Sequence, residues 1–274
     1  MDLSAADLAL LAVLLAATGG VAGVLAGLLG VGGGIVIVPV LFWVLGALDF
    51  PEATAMTVAV ATSLATIIPT SVASARAHAA KGNLDRDLLR AWAPFVVAGA
   101  LAGGLLSFVL DGRDLTAVFG VVALLVAVNM ALPKQLTLGA ALPASIAARG
   151  GMAGGIGLVS ALMGIGGGTL SVPTLSAFSF PTHRAVGTAA AFGLLIAVPG
   201  VLGFVASGIG QPLRPPGSVG YVNLPAAAVI VPMTVICAPV GARIAHALPA
   251  RRLRLAFALF LGITALRMLW IVAA

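Results

Sequence analysis

The sequence predicts an all-α polytopic membrane protein built from two copies of one unit, and three observations lead to this prediction. The mean hydropathy is +1.19, and hydrophobic residues make up 61% of the chain whereas charged residues make up 8%. Apolar runs long enough to span a membrane follow one another along the 274 residues. The glycine-rich motif GVGGGIVIVPVL at 30–41 returns as GIGGGTLSVPTL at 164–175.

The repeat extends well beyond this motif. We therefore predict a first membrane repeat at 1–133, a connection at 134–144 and a second membrane repeat at 145–274. Duplicated halves with glycine-broken helices are typical of transporters that hold their site between the halves. Further matched positions are Gly20 and Gly154, Gly23 and Gly157, Thr62 and Thr188, Pro94 and Pro232, Gly103 and Gly241, and Phe119 and Phe257.

Each half is predicted to hold about five apolar segments, of which the second is short. A helix of 12–14 residues spans only about 20 Å, whereas the hydrocarbon core of a bilayer is about 30 Å thick. The short segments therefore either begin inside the membrane or cross it at an angle beside another helix. The predicted segments are 5–29, 35–48, 54–79, 89–110 and 115–132, followed by 145–163, 169–180, 185–207, 222–247 and 254–273.

The loop charges predict how the chain is oriented. Basic residues collect at 76–90 and 248–254, whereas acidic residues lie in the turns at 49–52 and 111–114. The positive-inside rule places the basic loops in the cytoplasm. All of the basic loops lie in the cytoplasm only if each half crosses the membrane an odd number of times. The two repeats are then inverted, and both termini lie outside. The net charge of +6 is thus an orientation signal, and we expect no nucleic-acid partner.

The two glycine triplets are the predicted substrate site. Glycine triplets break helices, and exposed backbone at membrane depth is tolerated only where it lines a cavity or is buried in protein. The helix after each triplet starts with unpaired N–H groups and a positive dipole end, which suits an anion. Helix packing through small residues is the alternative explanation. With the nearby hydroxyls, the predicted substrate-binding residues are Gly32, Gly33, Gly34, Gly166, Gly167, Gly168, Thr169, Ser171, Thr62, Ser63 and Thr188.

The remaining polar residues refine this prediction. The hydroxyls of Thr62, Ser63 and Thr188 either face a substrate or bond a carbonyl of their own helix. Arg267 and the matching Asn129 are candidates for attracting an anion, although Arg267 can also extend to the membrane interface. All eight acidic residues fall at termini or turns, which disfavours a cationic substrate.

We expect neither a metal site nor a cofactor, and no enzymatic activity. The chain has a single cysteine, and its histidines and carboxylates form no pattern that is typical of a metal centre or a catalytic site. The expected partners are a small anionic substrate and the lipid bilayer. A homodimer is an arrangement that the glycine-rich helix faces would allow.

The paired motifs GVGGGIVIVP and GIGGGTLSVP, with ATS at 61–63 and AVGT at 185–188, resemble the TauE/SafE family of sulfite and sulfonate exporters. The resemblance covers nearly the whole chain. It implies a multi-pass permease of the bacterial inner membrane that exports a sulfur-containing anion, with alternating access between the repeats as the expected mechanism. The competing hypothesis is a membrane-embedded anchoring or assembly subunit without transport activity.

Overall fold

The protein is a bundle of apolar helices whose ends agree closely with the predicted segments. The computed structural model describes residues 5–29, 33–132, 137–247 and 250–273. Gly32, one of the predicted site residues, lies outside the described residues. The helices are α1 (Ala5–Leu29), α2 (Gly34–Ala47), α3 (Glu52–Ala80), α4 (Arg86–Leu106), α5 (Gly112–Ala131), α6 (Ile146–Met163), α7 (Gly167–Ala177), α8 (Thr182–Gly208), α9 (Leu224–Ala247) and α10 (Ala250–Ala273).

The predicted fold class, an all-α polytopic membrane protein, is confirmed. Among the described residues, six helical segments are long and apolar enough to cross a membrane: α3, α4, α5, α6, α8 and the part of α10 from Leu255 to Ala273. The short second segments are real helices of 14 residues in α2 and 11 residues in α7. At 1.5 Å per residue these helices reach only about 21 and 16 Å, so neither spans a bilayer alone.

A short β-hairpin between α8 and α9 was not predicted from the sequence. Its strands are β1 (Ser218–Val219) and β2 (Val222–Asn223), which pair antiparallel. Gly220 lies in the turn with φ +57°, a conformation that glycine adopts without steric cost. The hairpin leads directly into α9, so it fixes where that helix begins.

Local signals explain where several helices start and stop. The Asp85 carboxylate accepts a hydrogen bond from Leu88 N and thereby caps α4. Asp111 and Asp114 form a capping box at the start of α5. Helix α6 ends at Gly164, which adopts the left-handed conformation with φ +68°. This glycine belongs to the second repeated motif, so the motif does break a helix.

Close glycine contacts join α1 to α9 and α4 to α6 in matched ways. A Cβ atom on Gly23 would lie 2.5 Å from the Thr234 carbonyl oxygen, and one on Gly157 would lie 2.2 Å from the Val96 carbonyl oxygen. Gly157 and Val96 occupy the positions that correspond to Gly23 and Thr234 in the repeat. Such contacts bring helix backbones together as small residues do in membrane bundles. The two copies of the unit therefore use equivalent interfaces.

Corresponding helices of the two halves pack against each other in opposite directions. Leu64 of α3 lies against Gly200 of α8, and Ser71 lies against Gly193. Residue numbers therefore increase along α3 in the direction in which they decrease along α8, so the two helices are antiparallel. Helices α5 and α10, which also correspond, are antiparallel as well. This is the packing that two inverted copies of a unit would show.

Candidate functional site

The two repeated motifs meet inside the bundle. A Cβ atom on Gly34, where α2 begins, would lie 2.5 Å from the Gly164 carbonyl oxygen. Ser63 of α3 donates a hydrogen bond of 2.7 Å to that same carbonyl and is fully buried. The helix break of the second motif and the helix start of the first therefore lie at one depth. Ser63 satisfies a carbonyl that the end of α6 leaves unpaired.

The second glycine triplet packs against α8. A Cβ atom on Gly167 would lie 2.4 Å from the Ala189 carbonyl oxygen, whereas the nearest atom to a Cβ on Gly166 is 3.7 Å away on Ile67. Gly33, Gly34, Gly166, Gly167, Gly168 and Thr169 are all buried. Close packing thus explains why Gly34 and Gly167 carry no side chain. A role of the triplets in binding a ligand stays a prediction.

Two threonines connect the halves through a reciprocal pair of hydrogen bonds. Thr62 of α3 accepts a hydrogen bond of 2.9 Å from the backbone N–H of Asn223, and Thr188 of α8 accepts one of 2.9 Å from the backbone N–H of Asp85. Asn223 and Asp85 themselves correspond, since each lies nine residues before the matched prolines Pro232 and Pro94. The hydroxyl of each half therefore holds the start of a helix in the other half.

The cap residues also stabilise their own helices in matched ways. The Asn223 side-chain oxygen accepts a hydrogen bond of 2.9 Å from Ala226 N, as Asp85 does from Leu88 N. An asparagine or an aspartate serves equally well as an N-cap. The exchange of these two residue types between the halves therefore changes the charge at the cap and leaves its hydrogen-bonding role intact.

That change of charge makes the two ends of the bundle different. The Asp85 carboxylate is buried and lies 2.6 Å from an Arg184 guanidinium nitrogen. Within the described ranges this is the one salt bridge. In the other half, Asn223 replaces the carboxylate and Val58 occupies the position that corresponds to Arg184. One end thus carries an ion pair, and the equivalent place at the other end is neutral.

A cavity of about 440 Å³ lies at the neutral end, beside Asn223 and Thr62. Arg214 is the single charged residue in its lining. The Arg214 guanidinium donates to the carbonyl oxygens of Gln211 at 2.8 Å and Gly220 at 3.2 Å. The other lining residues are Leu15, Leu41, Val44, Leu45, Leu48, Phe50, Val58, Leu213, Pro215, Pro216, Pro225 and Ala226.

A comparison with known protein families agrees with this architecture. The family model described as sulfite exporter TauE/SafE matches residues 15–268. The chain belongs to the TauE/SafE family. The resemblance predicted from the two motifs is thereby confirmed, and this family member is a multi-pass membrane transporter protein.

Relatives of this TauE/SafE protein carry similar descriptions. A probable membrane transporter protein of Haemophilus influenzae is 37% identical over 253 residues, which cover 91% of this chain and 95% of the relative. One of Methanocaldococcus jannaschii is 26% identical, with 95% of this chain and 96% of the relative covered. A probable membrane transporter protein of Xylella fastidiosa is 31% identical over 192 residues, which cover 65% of this chain and 69% of the relative. No solved structure matches the chain.

The other predicted residues of this TauE/SafE protein lie apart from the cavity. Ser171 is fully buried, and its hydroxyl has no hydrogen-bond partner among the described residues. Arg267 is exposed on α10, with its guanidinium carbon 5.2 Å from the centre of the Trp43 ring. Asn129 is half-buried on α5. Of the predicted site residues, Thr62 alone lines the cavity.

Sequence reasoning missed Asp85, Arg184, Asn223 and Arg214 as components of a site. A signal for the first three was present, because extending the repeat from the prolines and threonines aligns Asp85 with Asn223 and Arg184 with Val58. No such signal exists for Arg214. It lies in the loop after α8, where the two halves differ in length and no residue of the first half corresponds to it.

Proposed function

We propose that the protein exports a small sulfur-containing anion, such as sulfite or a sulfonate, across the bacterial inner membrane by alternating access between two inverted repeats. The observation that carries this proposal is the reciprocal pair of bonds from Thr62 to Asn223 and from Thr188 to Asp85. Because each half holds the start of a helix of the other half, a movement of one half changes both ends of the bundle together. Transporters made of inverted repeats alternate access by rocking or gating one repeat against the other around the site.

The positive-inside rule gives this arrangement a direction. The loop before Asp85 and the first two turns of α4 carry Lys81, Arg86 and Arg90, so the ion-paired end faces the cytoplasm in this proposal. The end with the hairpin and the cavity then faces outward. In this proposal the ion pair of Asp85 and Arg184 closes the cytoplasmic side, and the cavity is the outward-facing opening through which an exporter releases its substrate.

The charges near the two ends favour an anionic substrate. Asp85 is the one buried carboxylate in the described part of the chain, and Arg184 neutralises it. At the cavity, Arg214 supplies positive charge with no carboxylate beside it. A cation carrier normally holds an acidic side chain within its membrane segments, and this protein has its acidic residues at helix ends. The choice of a sulfur-containing anion comes from the family to which the chain belongs.

Flux measurements on the purified protein in liposomes test the proposal. We expect radiolabelled sulfite or ethanesulfonate to leave protein-containing liposomes faster than protein-free liposomes, and ethylamine to leave both at the same rate. The amine is the matched control, since it shares the two-carbon body of ethanesulfonate and carries the opposite charge. A folded protein that moves none of these anions would contradict the proposal and favour an anchoring or assembly subunit.

A further inference from the structure

We propose that Arg267 and Trp43 hold the phosphate of a membrane phospholipid whose headgroup carries an ammonium group beyond that phosphate. The site lies on the outside of the bundle, between α10 and α2, at the end that holds the β-hairpin. It is separate from the cavity, and it does not depend on the proposed transport function. It follows from where Arg267 lies, what it contacts and which charges surround it.

Arg267 lies on the membrane-facing side of α10. Its neighbours on that side, Ile263, Leu266 and Trp270, are hydrophobic and exposed, as residues that contact lipid chains are. Arg267 is exposed among them. It comes six residues before the helix ends at Ala273, so its Cα atom lies about 9 Å inside that end. A charge at this depth is costly unless it has an anionic partner or reaches the interface.

Among the described residues, the guanidinium of Arg267 interacts with an aromatic ring. Its guanidinium carbon lies 5.2 Å from the centre of the Trp43 ring on α2, within the distance of a cation–π contact. Such a contact orients the cation and leaves its net charge in place. No described carboxylate lies within ion-pair distance of Arg267, since the salt bridge of the described residues joins Asp85 and Arg184. The charge of Arg267 therefore stays accessible to an anion.

The other half of the protein has neither member of this pair. Asn129 occupies the position in α5 that corresponds to Arg267, and Ala177 occupies the position in α7 that corresponds to Trp43. Trp43 and Ala177 each follow the matched proline of their motif by four residues. The repeated unit thus folds without a cation and without an aromatic ring at these two positions. The pair belongs to one end of the bundle, as we expect of a ligand site on one side of the membrane.

A phospholipid phosphate suits this place better than a soluble oxyanion does. The planar fork of a guanidinium binds phosphate oxygens through parallel hydrogen bonds. A lipid phosphate already lies at the interface, which the long side chain of Arg267 can reach from its backbone position. The acyl chains of the same lipid would cover Ile263 and Leu266. A soluble oxyanion would instead have to leave water and lie beside these hydrophobic side chains, which is unfavourable.

Exposed carboxylates lie around the end of α10, farther out than Arg267. The Arg113 guanidinium, in the first turn of α5, donates a hydrogen bond to the Val272 carbonyl oxygen at the end of α10. The start of α5 also packs against the start of α3, where Gly112 lies against the backbone of Ala53. Val272 comes five residues after Arg267, so these contacts lie about 7.5 Å farther out along the helix. The acidic residues beside them are Asp49, Glu52, Asp111 and Asp114.

These carboxylates favour one class of headgroup. A phosphate bound at Arg267 places the rest of the headgroup outward, toward the acidic residues. The ammonium of phosphatidylethanolamine is attracted there and has three N–H donors for carboxylate oxygens. Phosphatidylcholine has the charge without the N–H donors, and phosphatidylglycerol leaves the carboxylates without a cation. We therefore assign the site to phosphatidylethanolamine.

Quenching of Trp43 fluorescence by brominated lipids tests the inference. The chain has three tryptophans, so the full-length variant W92F/W270F reports on Trp43 alone. In phosphatidylcholine bilayers, we expect brominated phosphatidylethanolamine to reach half-maximal quenching at a mole fraction about fivefold lower than brominated phosphatidylcholine, the effect of one ion pair at an exposed site. Equal mole fractions, or a lower one for brominated phosphatidylglycerol than for the ethanolamine lipid, would overturn the inference.

Variants in this background locate the lipid. R267Q should make the three lipids quench equally, and D49N/E52Q should remove the preference for phosphatidylethanolamine over phosphatidylglycerol. The control R90Q, at an exposed arginine near the opposite end of the bundle, should keep the full preference. If W92F/W270F does not fold, native mass spectrometry of the protein with its tryptophans intact counts bound phosphatidylethanolamine, and R267Q should retain one molecule fewer. An unchanged preference or an unchanged lipid count in R267Q would overturn the site.

Inorganic phosphate separates a lipid from a soluble ligand. Added in excess, it should change the quenching by brominated phosphatidylethanolamine no more than sodium chloride of equal ionic strength does. Competition by phosphate alone would overturn the lipid assignment in favour of a soluble oxyanion. The result is separable from the proposed function, because lipid binding without anion flux would contradict transport and leave this site intact.

Discussion

Replacing Gly34 by alanine is expected to abolish transport and to destabilise the protein strongly. The new methyl group would lie 2.5 Å from the Gly164 carbonyl oxygen and 3.0 Å from the Ser63 hydroxyl. Neither the backbone at Gly164 nor the buried Ser63 can move away without breaking the bond between them. Overpacking of this kind costs about 1–3 kcal/mol and at times more, and we expect the upper end because the clash is with backbone. Thermal unfolding in detergent, followed by flux assays, measures both effects.

Gly166→Ala is the matched control for this prediction. It lies in the second triplet, but the nearest atom to its added methyl group would be 3.7 Å away, an ordinary contact distance. We expect this variant to unfold within a few degrees of the wild type. Gly167→Ala, with a contact of 2.4 Å to the Ala189 carbonyl, should resemble Gly34→Ala. If Gly34→Ala melted and transported like the wild type, the two motifs would not touch as described.

Exchanging the ion pair for its neutral counterpart is expected to open the end of the bundle that we assign to the cytoplasm. The double variant D85N/R184V gives this end the residues that Asn223 and Val58 place at the other end. Asparagine keeps the helix cap, so the main change is the loss of the contact between Asp85 and Arg184. The population should shift toward a state that is open inward, since in the proposed mechanism the ion pair forms only in the closed state.

Labelling of Ala185→Cys, in a background with Cys237→Ala, measures this shift. Ala185 is fully buried beside Arg184, so its labelling by a maleimide reports opening of that end. We expect the rate to rise in D85N/R184V, to rise less in D85N alone, and to stay unchanged in the control R90Q, at an exposed arginine of α4. An unchanged rate in the double variant would mean that the ion pair does not control access.

Much of the fold was predictable because apolar length and repeated glycines are strong signals in a membrane protein. The predicted segments 35–48 and 169–180 correspond to the short helices α2 and α7. Helix α6 ends at Gly164 because glycine readily adopts the left-handed conformation found there. The hairpin at 218–223 was not predicted. Its strands have two residues each, which is too short for an alternating pattern to be visible.

The candidate site was predictable only in part. Thr62 and Thr188 were selected as hydroxyls inside apolar segments, and one of the two alternatives was a bond within their own helix. Their observed partners are instead backbone N–H groups of the other half. Such a bond depends on how the halves dock, which residue patterns within one helix do not reveal. The role of Arg214 depends in the same way on a loop that folds back over the bundle.

The opposite orientation of the two halves is the central claim, and labelling from the two sides of the membrane tests it most directly. Lys81 follows α3 and Gln211 follows the corresponding helix α8, and both are exposed. In a Cys237→Ala background, an impermeant maleimide should label Gln211→Cys in right-side-out vesicles and Lys81→Cys in inside-out vesicles. Labelling of both positions from the same side would contradict inverted repeats, and with them the proposed alternating-access mechanism.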